Sequence, residues 1–240
     1  MPGFSEQRKE MVKRYTRARY VRSQAMAEAM LRVPREEFMD LRYRQYSYND
    51  QPFPIPGDGR QTISAPYMYP VSYEPLGLRE GMRLLEVGAG SGYGAALARE
   101  LVGETGLVVA IEINAVTCEF ARENLERAGY EDVKLVLGDG SVGYAEDAPY
   151  DAVSITAASP KVPPPLVEQL RAPGKLVGPV GGDRYTGQDM LLLEKDESGH
   201  VSERSLMKVV YVPLLGGYGW RLTRKAQGLK AVCLLQEGPA

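Results

Sequence analysis

The chain has 240 residues, 44% of them hydrophobic and 25% charged, which is enough apolar material for a sizeable core and too much for a disordered chain. Its 29 basic and 31 acidic residues leave a net charge of −2, so no global positive field advertises nucleic-acid binding. Cys118 and Cys233 lie far apart, His200 is the lone histidine, no metal-ligand spacing occurs and no apolar run reaches the length of a membrane span. A disulfide framework, a metal centre, histidine-based catalysis and a membrane protein are thereby set aside, and the cytoplasm is the expected compartment.

Residues 5 to 40 carry apolar positions at helical spacing, among them Met11, Tyr15, Met26, Ala29 and Met30, and this helical prelude ends at Val33-Pro34. Residues 41 to 70 are rich in Tyr, Pro and Gly and read as loop with short pieces, a place for substrate contacts. Alternation follows: strand 84–88, helix 92–102, strand 107–111, helix 114–128, strand 133–137, strand 151–156, helix 163–170 and strand 174–180. Two later apolar runs, Met190 to Leu193 and Leu206 to Val212, form a terminal antiparallel pair around a turn near His200. The fold class is α/β, a doubly wound and mostly parallel sheet of Rossmann-like type with seven strands. The expected organisation is one domain over 1–220, with a substrate-side region at 1–75 and the core at 76–220, followed by an extension at 221–240.

The most informative stretch is Leu84-Leu85-Glu86-Val87-Gly88-Ala89-Gly90-Ser91-Gly92-Tyr93, a buried strand running into a glycine turn that opens a helix. Gly88, Gly90 and Gly92 let the backbone bend and approach a ligand. Their spacing departs from the dinucleotide fingerprint, whose third glycine comes one residue later to serve a pyrophosphate. The acid Glu86 at the strand end suits instead S-adenosylmethionine, whose reactive end is cationic. Glu112, about twenty residues beyond the glycines, can accept both ribose hydroxyls. Asp139, flanked by Gly138 and Gly140, can accept from an adenine amino group. Taken singly, Glu112 reads equally well as a solvated strand-end acid and Asp139 as a plain Asp-Gly turn; three acids after three successive strands outline one adenosine pocket.

Gln61-Thr62-Ile63-Ser64-Ala65-Pro66, the glycine turn, Gly138-Asp139-Gly140, Ala148-Pro149-Tyr150-Asp151 and Tyr211-Val212-Pro213-Leu214 resemble, in order and spacing, the protein-L-isoaspartate O-methyltransferases. The likeness runs from about residue 10 to Trp220. The glycine turn is common to most class I methyltransferases, whereas the Gln-Thr-Ile-Ser-Ala-Pro segment and the Val-Pro-Leu segment are particular to this family. The resemblance implies methyl transfer from S-adenosyl-L-methionine to the free α-carboxylate of an L-isoaspartyl residue in a damaged protein or peptide, the first step of repair. It implies Ser64 as the active-site serine and Thr62 and Ile63 over the cofactor. Glu86 and Gly88 fall at the methionine end, Glu112 at the ribose, and Asp139 with Gly140 at the adenine, with Gly90 and Gly92 also among the cofactor-binding residues. Tyr67, Tyr211, Val212, Pro213 and Leu214 fall beside the acceptor peptide. Without the surrounding motif Ser64 is an ordinary turn serine.

Some residues depart from the family pattern. Tyr67 stands where relatives often carry His, and Pro70 and Pro75 interrupt a segment that is usually helical. A proline inside a helix costs about 3 kcal/mol, so a helix here is expected to start near Pro70, kink, or stop before Pro75. The basic tail with Arg221, Arg224, Lys225 and Lys230, and its apolar end Ala231 to Leu235, lies outside the resemblance. Two other readings stand beside repair: a methyltransferase of the same fold acting on another carboxylate, peptide or RNA, and a cofactor-binding protein without turnover.

Overall fold

The structure is a computed structural model in which residues 3–182, 187–222 and 233–234 are described. Two helices, α1 (Phe4–Arg17) and α2 (Gln24–Arg32), take the place of one helical prelude. The break between them follows from Arg19, whose φ of 60° is left-handed, and from Ser23, which caps α2 by accepting from the Met26 N–H. A 3-10 turn, Arg35–Phe38, follows directly after Pro34.

A two-residue ladder, β1 (Phe53–Pro54) with β2 (Thr62–Ile63), makes a small antiparallel hairpin. Its loop is tied to the core where the Thr117 hydroxyl donates to the Pro56 carbonyl at 2.8 Å. Helix α3 (Met68–Leu76) corrects the expectation of a start near Pro70 or a stop before Pro75. Pro70 falls in the first turn, where its missing N–H has no intrahelical acceptor to lose, and Pro75 is passed one residue before the end. Gly77, at φ 65°, then terminates the helix in the left-handed conformation.

The core is β3 (Arg83–Val87), α4 (Tyr93–Val102), β4 (Leu107–Glu112), α5 (Ala115–Ala128), β5 (Lys134–Leu137), β6 (Tyr150–Ile155), α6 (Pro164–Glu168), β7 (Leu170–Gly181), β8 (Gln188–Lys195) and β9 (Val201–Val209). Helix α6 is shorter than expected because Leu170 pairs with Tyr150 and already belongs to the next strand. One seven-stranded sheet runs β5-β4-β3-β6-β7-β8-β9, parallel from β5 to β7, with β8 antiparallel to both neighbours. Leu84 to Val87 and Val108 to Glu112 are buried throughout, the pattern of central parallel strands covered on both faces. The outer strand β9 is exposed over Ser202–Ser205 and carries Glu203, Arg204 and Lys208, charges that discourage edge pairing.

Helix α4 is buried along most of its length, between the sheet and α2. Asn114 caps α5 by accepting from the Val116 and Thr117 N–H groups. Strand order reverses between β3, which leads outward to β4 and β5, and β6, which leads the other way. Such a switch point opens a crevice at the carboxyl ends of the strands, where ligands bind in open α/β sheets. Beyond Trp220 the described residues add one short ladder, β10 (Arg221–Leu222) with β11 (Cys233–Leu234). The rest of the 221–240 extension, including Arg224, Lys225 and Lys230, lies outside the described residues.

Candidate active site

A cavity open to solvent lies at this switch point. Its walls come from the 58–64 segment, α3, the glycine turn, the ends of β4 and β6, and the 211–215 segment. Thr62, Ile63, Ser64, Glu86, Gly88, Gly90, Glu112, Gly140, Tyr211, Val212, Pro213 and Leu214 all line it, so two motifs about 150 positions apart in sequence converge on one space.

The glycine turn has steric reasons for its composition. Gly88 sits at φ 95°, and a Cβ there would stand 2.4 Å from Thr156 Oγ1, which itself donates to the Gly88 carbonyl at 2.5 Å. Gly92 is left-handed too, but it lies outside the cavity lining: its space is taken by Leu125 and the Ala121 carbonyl of α5. The third glycine thus serves helix packing, and the first two face the cavity.

Glu86 is 1% exposed. Its Oε1 accepts from the Tyr73 hydroxyl at 2.8 Å, while Oε2 has no hydrogen-bond partner. Burial pushes the carboxyl up to about 8, with the nearby Glu112 carboxylate adding to the effect and the Tyr73 hydrogen bond opposing it. Gly94 makes room for it, since a Cβ there would lie 2.1 Å from Glu86 Oε1. The cavity wall thus carries a buried carboxyl oxygen with unmet hydrogen-bonding capacity. Glu112 accepts from the Gly90 N–H through Oε2 and from the Asn114 N–H through Oε1, both at 3.0 Å. It therefore holds the glycine turn while facing the cavity, and burial raises its carboxyl above the ordinary range.

Asp139 lies outside the cavity lining. Its Oδ1 accepts from the Ser141 N–H at 2.8 Å and the Ser141 hydroxyl at 2.6 Å, and its Oδ2 from the Gly217 N–H at 2.7 Å. The residue expected at the adenine is thus committed to closing the 214–220 loop against the end of β5, and Gly140 alone of that pair faces the cavity. Tyr67 also lies outside the lining, its ring packed on Tyr20 at 5.2 Å between centroids.

Ser154 and Thr156, which line the cavity, carry no signal in the sequence, and Tyr69, Ser72 and Tyr73, which also line it, lie in the proline-interrupted stretch after Tyr67 without standing out there as individual residues. The signal for the tyrosines was their i, i+4 spacing on α3, obscured by the flanking prolines. Tyr211 lines the cavity together with Ser64 and Ser72, so this wall carries three hydroxyl-bearing side chains. Burial pushes the Tyr211 phenol well above its ordinary value, which keeps it a neutral donor. His200 is exposed in the 196–200 turn and has no part in the cavity.

A profile of the protein-L-isoaspartate(D-aspartate) O-methyltransferase (PCMT) family matches residues 6–219. A protein-L-isoaspartate O-methyltransferase of Hyperthermus butylicus is 47% identical over 226 residues, 91% of this chain and 92% of the relative. One from Methanothrix thermoacetophila is 50% identical over 199 residues, 83% of this chain and 91% of that one. A solved protein-L-isoaspartate O-methyltransferase structure superposes with a TM-score of 0.78 at 33% identity, covering 89% of this chain and 66% of that longer one. A Plasmodium falciparum protein crystallised with S-adenosyl-L-homocysteine shares the fold, with a TM-score of 0.74 at 24% identity over 86% of this chain and 97% of that one. By sequence and by fold, the chain belongs to the protein-L-isoaspartate(D-aspartate) O-methyltransferase family.

Proposed function

We infer that the protein methylates the free α-carboxylate of L-isoaspartyl residues in damaged proteins or peptides, with S-adenosyl-L-methionine as the donor. The observation that carries this reading is the convergence of Ser64 and the 211–214 segment on the cavity that the glycine turn, Glu86 and Glu112 also line. Bound S-adenosylmethionine supplies an electrophilic methyl group on a sulfonium.

The residues present fit that group. The Gly88 and Gly90 backbone gives close approach, the orphaned Glu86 Oε2 suits the cationic methionine end, and Glu112 retains acceptor capacity for the ribose. A carboxylate acceptor is ionised at neutral pH, so no strong general base is required and the absence of histidine from the cavity is no obstacle. The side chains instead align the acceptor oxygen and exclude water. Ser64 and Tyr211 supply hydroxyls to the acceptor carboxylate.

The 211–214 segment has one main-chain pair to offer a peptide. The Tyr211 N–H and carbonyl are taken by the Gln188 side chain, and the Val212 carbonyl and Leu214 N–H by Ala158. Among the described residues, the Val212 N–H and the Pro213 carbonyl have no such partner, the pattern of an edge that an extended peptide can join. Residues 1–220 act in this account as one catalytic unit, and the wide spacing of the two cysteines fits a reducing compartment such as the cytoplasm.

The test supplies methyl-labelled donor with an isoaspartyl peptide or with RNA. Base-labile label in the peptide alone is the expected result. Label in RNA alone replaces this reading with that of a nucleic-acid methyltransferase, and cofactor binding without any transfer replaces it with that of a cofactor-binding protein. In the same assay Ser64→Ala is expected to lower kcat/KM for the peptide about 10- to 100-fold with cofactor affinity unchanged. Unaltered turnover removes Ser64 from the acceptor site.

A further inference from the structure

Arg35 is fully buried, yet among the described residues no carboxylate lies within ion-pair distance of it. Glu36, the next residue, is taken by Arg8 at 2.7 Å. The Arg35 Nε donates to the Ser47 carbonyl and Nη2 to the Ser64 carbonyl, both at 2.7 Å, while Nη1 has no partner. The guanidinium carbon lies over the rings of Tyr93 and Tyr69, 5.1 and 5.8 Å from their centroids. Tyr69, one of the two rings under the guanidinium, lines the cavity. A buried cation that has only carbonyls and ring faces for company is costly, and an apolar side chain of similar volume fills such a position without that cost. Its geometry points toward the cavity: one of the two carbonyls it holds, that of Ser64, and one of the two rings it covers, that of Tyr69, belong to residues of the cavity wall.

We propose that Arg35 is a positioning residue of the methyl-transfer site: its guanidinium fixes Ser64 at the acceptor mouth, and its uncompensated charge favours an acceptor that enters as a carboxylate anion. The proposal rests on the functional reading given above. The two roles leave different kinetic marks. In the transfer a carboxylate lone pair forms the new O–CH3 bond as the S–CH3 bond breaks and its electron pair stays on sulfur; no proton moves. The negative charge of the acceptor is therefore being lost in the transition state, and a fixed cation behind it favours the bound acceptor over the transition state. The charge appears in KM. The fork holding the Ser47 and Ser64 carbonyls sets the alignment of Ser64, which appears in kcat.

The experiment compares wild type, Arg35→Lys and Arg35→Met with saturating S-adenosylmethionine, using a peptide with a single isoaspartyl residue as substrate. The same peptide with its isoaspartyl α-carboxyl amidated serves as a competitive ligand, and cofactor affinity reports folding. Arg35→Lys keeps the charge but cannot hold both carbonyls at once, so kcat falls about tenfold with KM within about threefold of wild type. Arg35→Met loses both, so KM also rises about tenfold and the preference for carboxylate over amide falls by a similar factor. A cofactor-binding Arg35→Met protein with unchanged preference, or Arg35→Lys with wild-type kcat, overturns the proposal. If Arg35→Met does not fold, the kcat and KM of Arg35→Lys decide it. A wild-type protein that leaves the peptide unmethylated contradicts the functional reading and the proposal together; wild-type turnover beside an indifferent Arg35→Met contradicts the proposal alone.

Discussion

In the proposed reading, Glu86 is the residue on which the chemistry of the donor side turns. Its carboxyl, raised from an ordinary 4.5 to about 8, faces Tyr73 and Tyr69 from α3, Glu112 from β4 and the backbone of Ala95 from α4. Between those two values the folded protein holds a proton that the unfolded chain has released, so this group lowers stability as pH rises through that window. Glu86→Gln cannot ionise. In calorimetry without cofactor, the melting temperature of the variant is expected to gain on wild type from pH 5 to pH 8 and then to level off; a difference independent of pH contradicts the assignment. A cationic ligand prefers the ionised form, so wild-type cofactor affinity rises between pH 6 and 7.5, by at most about tenfold per pH unit, and Glu86→Gln flattens that slope. The sequence made Glu86 and Glu112 visible because each ends an apolar run at a fixed distance from the glycines. It hid Tyr73, the hydrogen-bond donor to Glu86, because that partner depends on α3 lying across the end of β3. Arg35 was equally hidden, since nothing in Val33-Pro34-Arg35-Glu36-Glu37-Phe38 tells which of its charges is buried unpaired.

At the scale of elements, local signals located the strands and helices to within a few residues where the apolar period was long, as in β3, α4, β4 and α5. They failed where the deciding contact is distant. Pro70 and Pro75 argue against a helix by local propensity, yet α3 forms because Met68, Tyr73 and Leu76 are buried against the core. Asp139 reads locally as a ligand-facing acid or an Asp-Gly turn, whereas its carboxylate reaches Gly217, 78 residues away. That contact ties the loop bearing Tyr218 and Trp220 to the 140–142 turn, assisted by the Ser141 hydroxyl accepting from the Tyr218 N–H at 3.0 Å. Asp139→Ala is expected to cost about 1–2 kcal/mol in denaturant unfolding, through loss of the Ser141 cap and the Gly217 tie. It should also weaken cofactor binding, because the 211–215 wall is continuous with the loop. A variant of wild-type stability contradicts the role of Asp139 as a latch.

For the whole molecule, the doubly wound sheet accounts for the convergence of distant motifs. The reversal between β3 and β6 opens the crevice; β4 brings Glu112 to one side, and the segment after β9 returns Tyr211 to Leu214 to the other. Alternating strands and helices made this class of fold legible, and the antiparallel β8–β9 hairpin was legible from its two apolar runs around the 196–200 turn. The sequence could not show that Gly92 packs against α5 while Gly88 and Gly90 face the cavity. It also could not show that Gln188 and Ala158 take the Tyr211 main chain, the Val212 carbonyl and the Leu214 N–H, and that among the described residues the Val212 N–H and Pro213 carbonyl have no such partner. In the proposed reading the cavity pairs a donor face with a face for an extended chain bearing a free carboxylate. The measurement that tests this most directly is methyl transfer from labelled S-adenosylmethionine to two peptides of identical sequence, one with an isoaspartyl and one with an aspartyl linkage. The account predicts base-labile methyl ester on the isoaspartyl peptide alone; equal labelling of both, or of the aspartyl peptide alone, contradicts it.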